Sequence, residues 1–422
     1  MILKTLTDFC RSRLVLKTGS LTAATVIAQG LAALGFVITA RWYSQADFGH
    51  YSVFLSFASM AAAVNLLAFE SAVPNVRDRE IGALCAGILL LLVIATVVIG
   101  VGFSLAGYSQ ALLLAVYTAG VGLGKFNDMC AVRERKMRYV VLARVLPPLM
   151  FLALLGWIRA AGRDGLDELY RITAAALVTP QLFILPVFLT GYFKEWPKWT
   201  EIVGMMERFK KNAFLIAPAD LLSSAAHSLP IVIVERAFGP AMAAQYSVVF
   251  RFCLGPVITV GQAISNVYHA DAAHMMREGR EEGFFHYRRV LKALAAAGCM
   301  TWAAIALIFP FMMRQLLGPG WGTAELFLQW LAPLFGITMV TMPLTALFYV
   351  FERQGIILVN QFSYLAVALI AFGLGVHANS LLLGVALFSG FSFLRHTAIL
   401  WTIDRVARHH FKRDVGTGMK AA

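Results

Sequence analysis

Twelve predominantly apolar stretches of about 20 or more residues run through this chain, at 19–40, 48–70, 81–106, 109–132, 139–158, 171–193, 213–235, 243–268, 290–316, 324–350, 355–376 and 379–401. Each is long enough to cross a hydrocarbon core of about 30 Å at about 1.5 Å per residue. Lipid offers no partner to a backbone N–H or C=O, so each stretch is expected to be an α-helix. Composition agrees: 59% of the 422 residues are hydrophobic and only 14% charged, against about 25% charged in an ordinary soluble domain.

The loops set an orientation. With the N-terminus inside, the inner loops hold RDRE (77–80), RERKMR (133–138), the 194–211 linker, REGREEGFFHYRR (277–289), FERQ (351–354) and the tail DRVARHHFKRD (404–414). The outer loops, among them GYSQ (107–110), FGPA (238–241) and HANS (377–380), carry few basic residues, and 159–171 is of mixed charge. Cytoplasmic loops carry excess Lys and Arg, so both termini are expected in the cytoplasm and the net charge of +13 reflects the membrane, not nucleic acid. Lys4, Arg11, Arg13 and Lys17 precede the first run as in a signal peptide. That run is long for such a segment and lacks a small-residue cleavage site, so it is read as a retained span.

YSVFLSF (51–57) returns as YSVVFRF (246–252), and the same offset of 195 residues carries Arg41 onto Arg236. Tyr51 opens the second helix and Tyr246 the eighth. The expected architecture is therefore an all-α polytopic membrane protein with two six-helix lobes related as parallel repeats. The lobes are placed at 1–193 and 213–422, with an amphipathic linker at 194–212 whose Trp196 and Trp199 suit a membrane interface. No loop is long enough to form a soluble domain, and no GxxxxGK[ST], GxSxG or HExxH occurs. GVGLGKF (120–126) lies inside a span, where its glycines serve close helix packing. The five cysteines (Cys10, Cys85, Cys130, Cys253, Cys299) form no CxxC or Cys/His cluster and read as small core residues, with no disulfide or metal site. No cofactor is expected.

Polar residues inside the spans are the functional candidates, because a charge at mid-membrane costs roughly 2.5–3.5 kcal/mol on insertion scales. Arg251 lies roughly 12 Å from the outer start of its helix, and Gln262, Asn266 and His269 continue a polar stripe along it. The stripe is expected to face a solvated cavity between the lobes. The offset places Ser56 opposite Arg251, so the lobes are not chemically equivalent. Asp220 and His227 sit seven residues apart, bracketed by Pro218 and Pro230. They are the candidate ion-coupling groups, a carboxylate able to take a proton or cation and an imidazole able to titrate. Arg144, Arg395 and Lys125 are further candidate substrate-binding cations that can also snorkel; Lys125 can pair with Asp128 at i, i+3. Glu70, Glu235 and Arg236 sit near helix ends, and Glu352 with Arg353 forms a possible inner gate.

The stretch TGSLTAATVIAQGLAALGFVITARWYSQADFGHYSVFLSFASM (18–60) resembles the opening of bacterial polysaccharide exporters and O-antigen flippases, where two helices flank a turn ending in ADFGxYS. VERAFGPAMAAQYSVVFRFCLGPVITVGQAISNVYHADAAHM (234–275) and LQWLAPLFGITMVTMPLTALFYVFERQG (328–355) are similar to later regions of the same proteins, although AAQYS lacks the usual glycine. These proteins belong to the multidrug/oligosaccharidyl-lipid/polysaccharide exporter superfamily. The resemblance implies a flippase that moves undecaprenyl-diphosphate-linked oligosaccharide across the bacterial inner membrane by alternating access, driven by a proton or sodium gradient. It would act beside the polymerase and glycosyltransferases of a surface-polysaccharide pathway. Arginine suits such cargo because its planar fork pairs with phosphate oxygens. The alternative is a multidrug or small-solute cation-coupled antiporter of the same superfamily, for which Asp220 speaks. A membrane polymerase or acyltransferase fits less well, because the largest outer loop is short. A monomer is expected, since the pathway lies within one chain.

Overall fold

A computed structural model describes residues 13–193, 195–277, 283–351 and 353–418. Cys10, Glu352, the 278–282 part of the inner loop and the side chain of Asn266 lie outside the described residues. Among the described residues the chain is helices joined by short turns and loops, with no strand. Ten helices among the described residues are long and apolar enough to cross a membrane, and the pair Gln45–Val64 and Phe69–Asn75, bent by 48°, makes eleven if it is one span. The twelfth expected span is present as the helix Ala111–Arg133, 23 residues long. That is about 34 Å of helix, but Lys125, Asn127, Asp128 and Arg133 dilute its apolar character. The protein is a multi-pass membrane protein.

The chain divides into two compact units. One comprises the residues up to Tyr43 and Val53–Ser224, the other Ser44–Ser52 and the residues from Ala225 onward. The division falls inside two helices, Gln45–Val64 and Ala217–Phe238.

In the first unit, the helices Ile81–Leu105, Ala111–Arg133, Met137–Ala160 and Leu166–Ile184 enclose a core that includes Leu84, Ile88, Phe126, Val140 and Phe188. Gly122 lets the Ala111–Arg133 helix approach its neighbours: a Cβ there would lie 2.6 Å from Leu92 Cδ1 and 2.7 Å from Asn65 Nδ2. The expected unbroken 48–70 span instead stops at Val64. Leu67 and Ala68 take left-handed φ angles of 47° and 58°, a conformation that costs L-residues energy and persists only under tertiary constraint. Asn65 supplies that constraint by donating to the Thr118 carbonyl at 2.6 Å. The turn that follows carries Glu70 into the unit. The linker forms a short helix, Trp199–Arg208, with Ile202 and Met205 buried and Trp196 and Trp199 exposed. Arg208 fixes it to Glu80 at 3.0 Å.

In the second unit, the span Pro319–Phe348 is the most enclosed, with 78% of its most apolar window buried. Pro240–Arg277, Gly283–Leu307 and Leu381–Gly418 pack against it, and Gln354–His377 packs on Leu381–Gly418. The 290–316 stretch is not one helix: it breaks at Ile308, where Pro310 lies in the first turn of the Phe309–Leu317 helix. An aromatic cluster of Tyr246, Phe250, Tyr364, Phe372 and Phe388 packs in stacked, edge-to-face and tilted contacts. The sequence echo has a direct structural expression here. Ser52 and Ser247, equivalent positions 195 residues apart, share a hydrogen bond of 2.7 Å between their buried hydroxyls. Of the cysteines, Cys85, Cys130 and Cys253 are buried core residues as expected, whereas Cys299 is exposed.

Candidate functional site

Each unit holds a polar cluster, and the two differ in charge. The first unit's cluster grows from the Ala111–Arg133 helix. Its Lys125 ammonium donates to the Ala62 carbonyl at 2.8 Å. Lys125 acts electrostatically on both Glu70 and Asp220, and Asp220 acts on Glu70. Glu70 Oε2 is buried with no hydrogen bond, while Asp220 is exposed. The break after Val64 is what brings Glu70 to this place. The group therefore contains two carboxylates and one ammonium, a net charge of −1 when all three are ionised. A proton or a monovalent cation would balance it.

Asp128 does not pair with Lys125, as their spacing suggested. Its Oδ2 accepts from Arg144 Nε at 3.0 Å and from Nη2 at 2.8 Å, while Arg144 Nη1 donates to Thr25 Oγ1 at 2.8 Å. One turn of helix points Lys125 and Asp128 toward different neighbours, and the guanidinium with two donors outcompetes a single ammonium for the carboxylate. Beside it, Asn127 donates to the Gln181 carbonyl at 3.0 Å and to Gln181 Oε1 at 3.1 Å, and Gln181 donates to the Ala143 carbonyl at 2.8 Å. Both side chains are buried. Replacing Gln181 with Leu removes two of these bonds and strands polar atoms, at about 1–3 kcal/mol. We expect Gln181→Leu to lower the thermal midpoint of the purified protein, and Asn127→Ala with Gln181→Leu to cost less than the two single changes summed.

In the second unit, Arg251 Nη2 approaches the Ser52 carbonyl at 3.4 Å. Gln262 and His269 are exposed on the same helix. His227 is half-buried, its ring edge-on to Tyr364 at 5.0 Å and tilted against Phe250 at 5.8 Å. His50 and Glu235 meet at 3.2 Å. The densest cluster surrounds Arg395. Its guanidinium lies over the Tyr364 ring, 4.5 Å from the centroid. Nη1 donates to Asn360 Oδ1, and Nη2 meets His396 Nε2 at 2.7 Å. His396 Nδ1 meets Thr341 Oγ1 at 2.7 Å. Guanidinium has donors only, so Nε2 is the acceptor and Nδ1 carries the proton. Every partner of Arg395 in this cluster is neutral.

The sequence candidates are thus distributed. Lys125 and Asp220 come together in the first unit with Glu70, and Arg144 stands in its own ion pair. Arg395 and Arg251 belong to the second unit with His227. Asn360, Tyr364 and His396 were not singled out from the sequence. Asn360 and Tyr364 are i, i+4 on one helix and share a face, a spacing that could have marked them. Nothing in the sequence announces that this face meets Arg395. Among the described residues no group of three His, Cys, Asp or Glu side chains is placed to hold a metal ion.

These features define a polytopic helical membrane protein. No protein-family model matches the sequence, and no curated protein matches it. Solved structures do match. The chain is similar to a multidrug resistance MATE family transporter of the MOP superfamily in its inward-facing conformation, at 17% identity and a TM-score of 0.65, over 93% of this chain and 96% of that one. An outward-facing MATE family structure matches at 18% identity and a TM-score of 0.63, over 95% and 96%. A MOP superfamily transporter from Pyrococcus furiosus, described as having a binding pocket of reverse polarity that suggests a different function, matches at 17% and 0.63, over 94% and 96%. The chain has the fold of the MATE transporters of the MOP superfamily.

Proposed function

We propose that the protein is a secondary transporter that exports a drug or other small solute in exchange for an inward-moving proton or sodium ion. The observation that carries this is the first-unit group of Glu70, Lys125 and Asp220, in which two carboxylates meet the field of one ammonium, so that one proton or monovalent cation would balance them. The MATE-type fold supports it. The protein then works by alternating access in a bacterial inner membrane, with both termini cytoplasmic, as a monomer. Efflux of a cationic dye from proteoliposomes tests it. With an imposed gradient, Asp220→Asn is expected to slow efflux at least about tenfold, since a neutral amide cannot alternate between charged and neutral forms. Undiminished, gradient-driven efflux in both Asp220→Asn and Glu70→Gln would overturn the reading.

A second reading rests on a different observation. Arg395 keeps its charge among neutral partners, and an uncompensated guanidinium favours an oxyanion as cargo. That suits undecaprenyl-diphosphate-linked oligosaccharide, passed to a polymerase after assembly by glycosyltransferases. A deletion strain separates the two readings. Loss of surface polymer with accumulation of lipid-linked repeat units marks the flippase; intact polymer with altered drug sensitivity marks the antiporter.

A further inference from the structure

We infer that Arg395 binds an oxyanion and that His396 takes up a proton when it does so. The inference rests on the oxyanion-cargo reading and adds to it a linked proton carried by a named residue.

The geometry of the cluster leads to this. Neighbouring residues on a helix point away from each other, yet Arg395 folds back so that its Nη2 meets His396 Nε2 at 2.7 Å. This contact occupies the only free lone pair of the imidazole, since Nδ1–H is spent on Thr341. His396 is 9% exposed. While the contact stands, Nε2 has no room for a proton, and an imidazolium there would face a guanidinium at contact distance. Two further polar atoms on this helix are buried without a partner, Arg395 Nε and Ser392 Oγ, three residues apart on one face. Buried polar atoms are normally hydrogen-bonded, and exceptions call for an explanation such as an absent ion. An oxyanion with several acceptor oxygens would satisfy both atoms and the charge together.

The other groups packed around His396 do not supply that anion. Thr338 and Thr341 face it from the Gly322–Leu344 helix. Asn360 and Tyr364 belong to Gln354–His377, and His227 of Ala217–Phe238 packs on the Tyr364 ring. From Gly283–Leu307, Arg288 goes to Asp404, which also binds Arg408, two turns beyond His396. An arriving oxyanion draws the Arg395 guanidinium toward itself and releases Nε2. The lone pair then accepts a proton from water, Nδ1–H stays on Thr341, and the product is an imidazolium beside a bound anion. The added positive charge is offset by a dianion, so oxyanion and proton bind cooperatively.

Sulfate is a suitable probe because it takes up no proton near neutral pH. Full-length protein in nanodiscs is titrated with sodium sulfate against a sodium chloride control, with binding and proton uptake followed in weak buffer. The wild type is expected to take up about one proton per sulfate bound. His396→Gln keeps an acceptor for Arg395 and cannot titrate, so it should bind sulfate without proton uptake. Arg395→Gln should weaken sulfate binding about tenfold or more. Asn360→Asp guards against misfolding as an explanation: it gives Arg395 a carboxylate, so sulfate binding should vanish while the thermal midpoint holds or rises. Sulfate binding with no proton uptake in the wild type, or unchanged uptake in His396→Gln, overturns the linked proton and leaves the oxyanion cargo standing. Absent sulfate binding, or binding unaffected by Arg395→Gln, overturns both. Displacement of sulfate by a long-chain prenyl phosphate in the nanodisc assigns a lipid-borne oxyanion; its failure to compete assigns a free one.

Discussion

Gly49→Ala should destabilise the protein by on the order of 3 kcal/mol, at the upper end of overpacking costs, and leave little folded protein after extraction. A Cβ at Gly49 would lie 1.9 Å from the Pro240 carbonyl oxygen and 2.6 Å from its carbonyl carbon. These are backbone atoms, so no rotamer change relieves the clash. The segment must retreat by about 1 Å, and protein interiors are too densely packed to absorb that locally. The retreat would also stretch the contacts that follow: Ser52 to Ser247 at 2.7 Å, and Gln45 and Gln245, which both donate to the Gly320 carbonyl, at 2.8 and 2.9 Å. The check is a thermal melt beside Gly30→Ala, a glycine with nothing within 4 Å of the added Cβ. Gly30→Ala should be neutral or slightly stabilising, because alanine is the better helix former. Equal melting points for the two variants would contradict the close approach.

The same positions show how far the sequence could be read. The spans were legible because lipid allows a long apolar stretch little besides helix. The echo at Tyr51 and Tyr246 was legible as a repeat, but not as a contact, because sequence similarity carries no distance. Ser52 and Ser247 touch, and Gly49 is glycine because Pro240 is close. The helix break after Val64 was hidden: Leu66, Leu67 and Ala68 are as apolar as the span before them, and only the bond from Asn65 to Thr118 reveals the turn. Without that turn Glu70 is only a helix-end charge, and its electrostatic coupling to Lys125 and Asp220 is invisible. Asp128 illustrates the opposite limit. Its i, i+3 spacing to Lys125 is a real local preference, worth only about 0.2–0.5 kcal/mol. A tertiary contact with the two donors of Arg144 overrides it.

That contact carries the second large effect. Arg144→Ala is expected to cost about 3 kcal/mol, the lower end of the range for breaking a buried ion pair, since the Arg144 side chain is 37% exposed and that of Asp128 17%. Most of the loss comes from Asp128, left half-buried without its guanidinium partner and with Oδ1 already unbonded. The double change Arg144→Met with Asp128→Leu removes both charges at similar volume, and such replacements are often neutral or stabilising. It should recover most of the stability lost in Arg144→Ala, read as the thermal midpoint in one detergent. Transport by the double variant then tells what the pair does. Retained efflux makes the pair a brace between the Ala111–Arg133 and Met137–Ala160 helices. Lost efflux in a protein that is equally stable makes Arg144 a group that leaves Asp128 for the cargo during the cycle, because no folding defect remains to explain the loss.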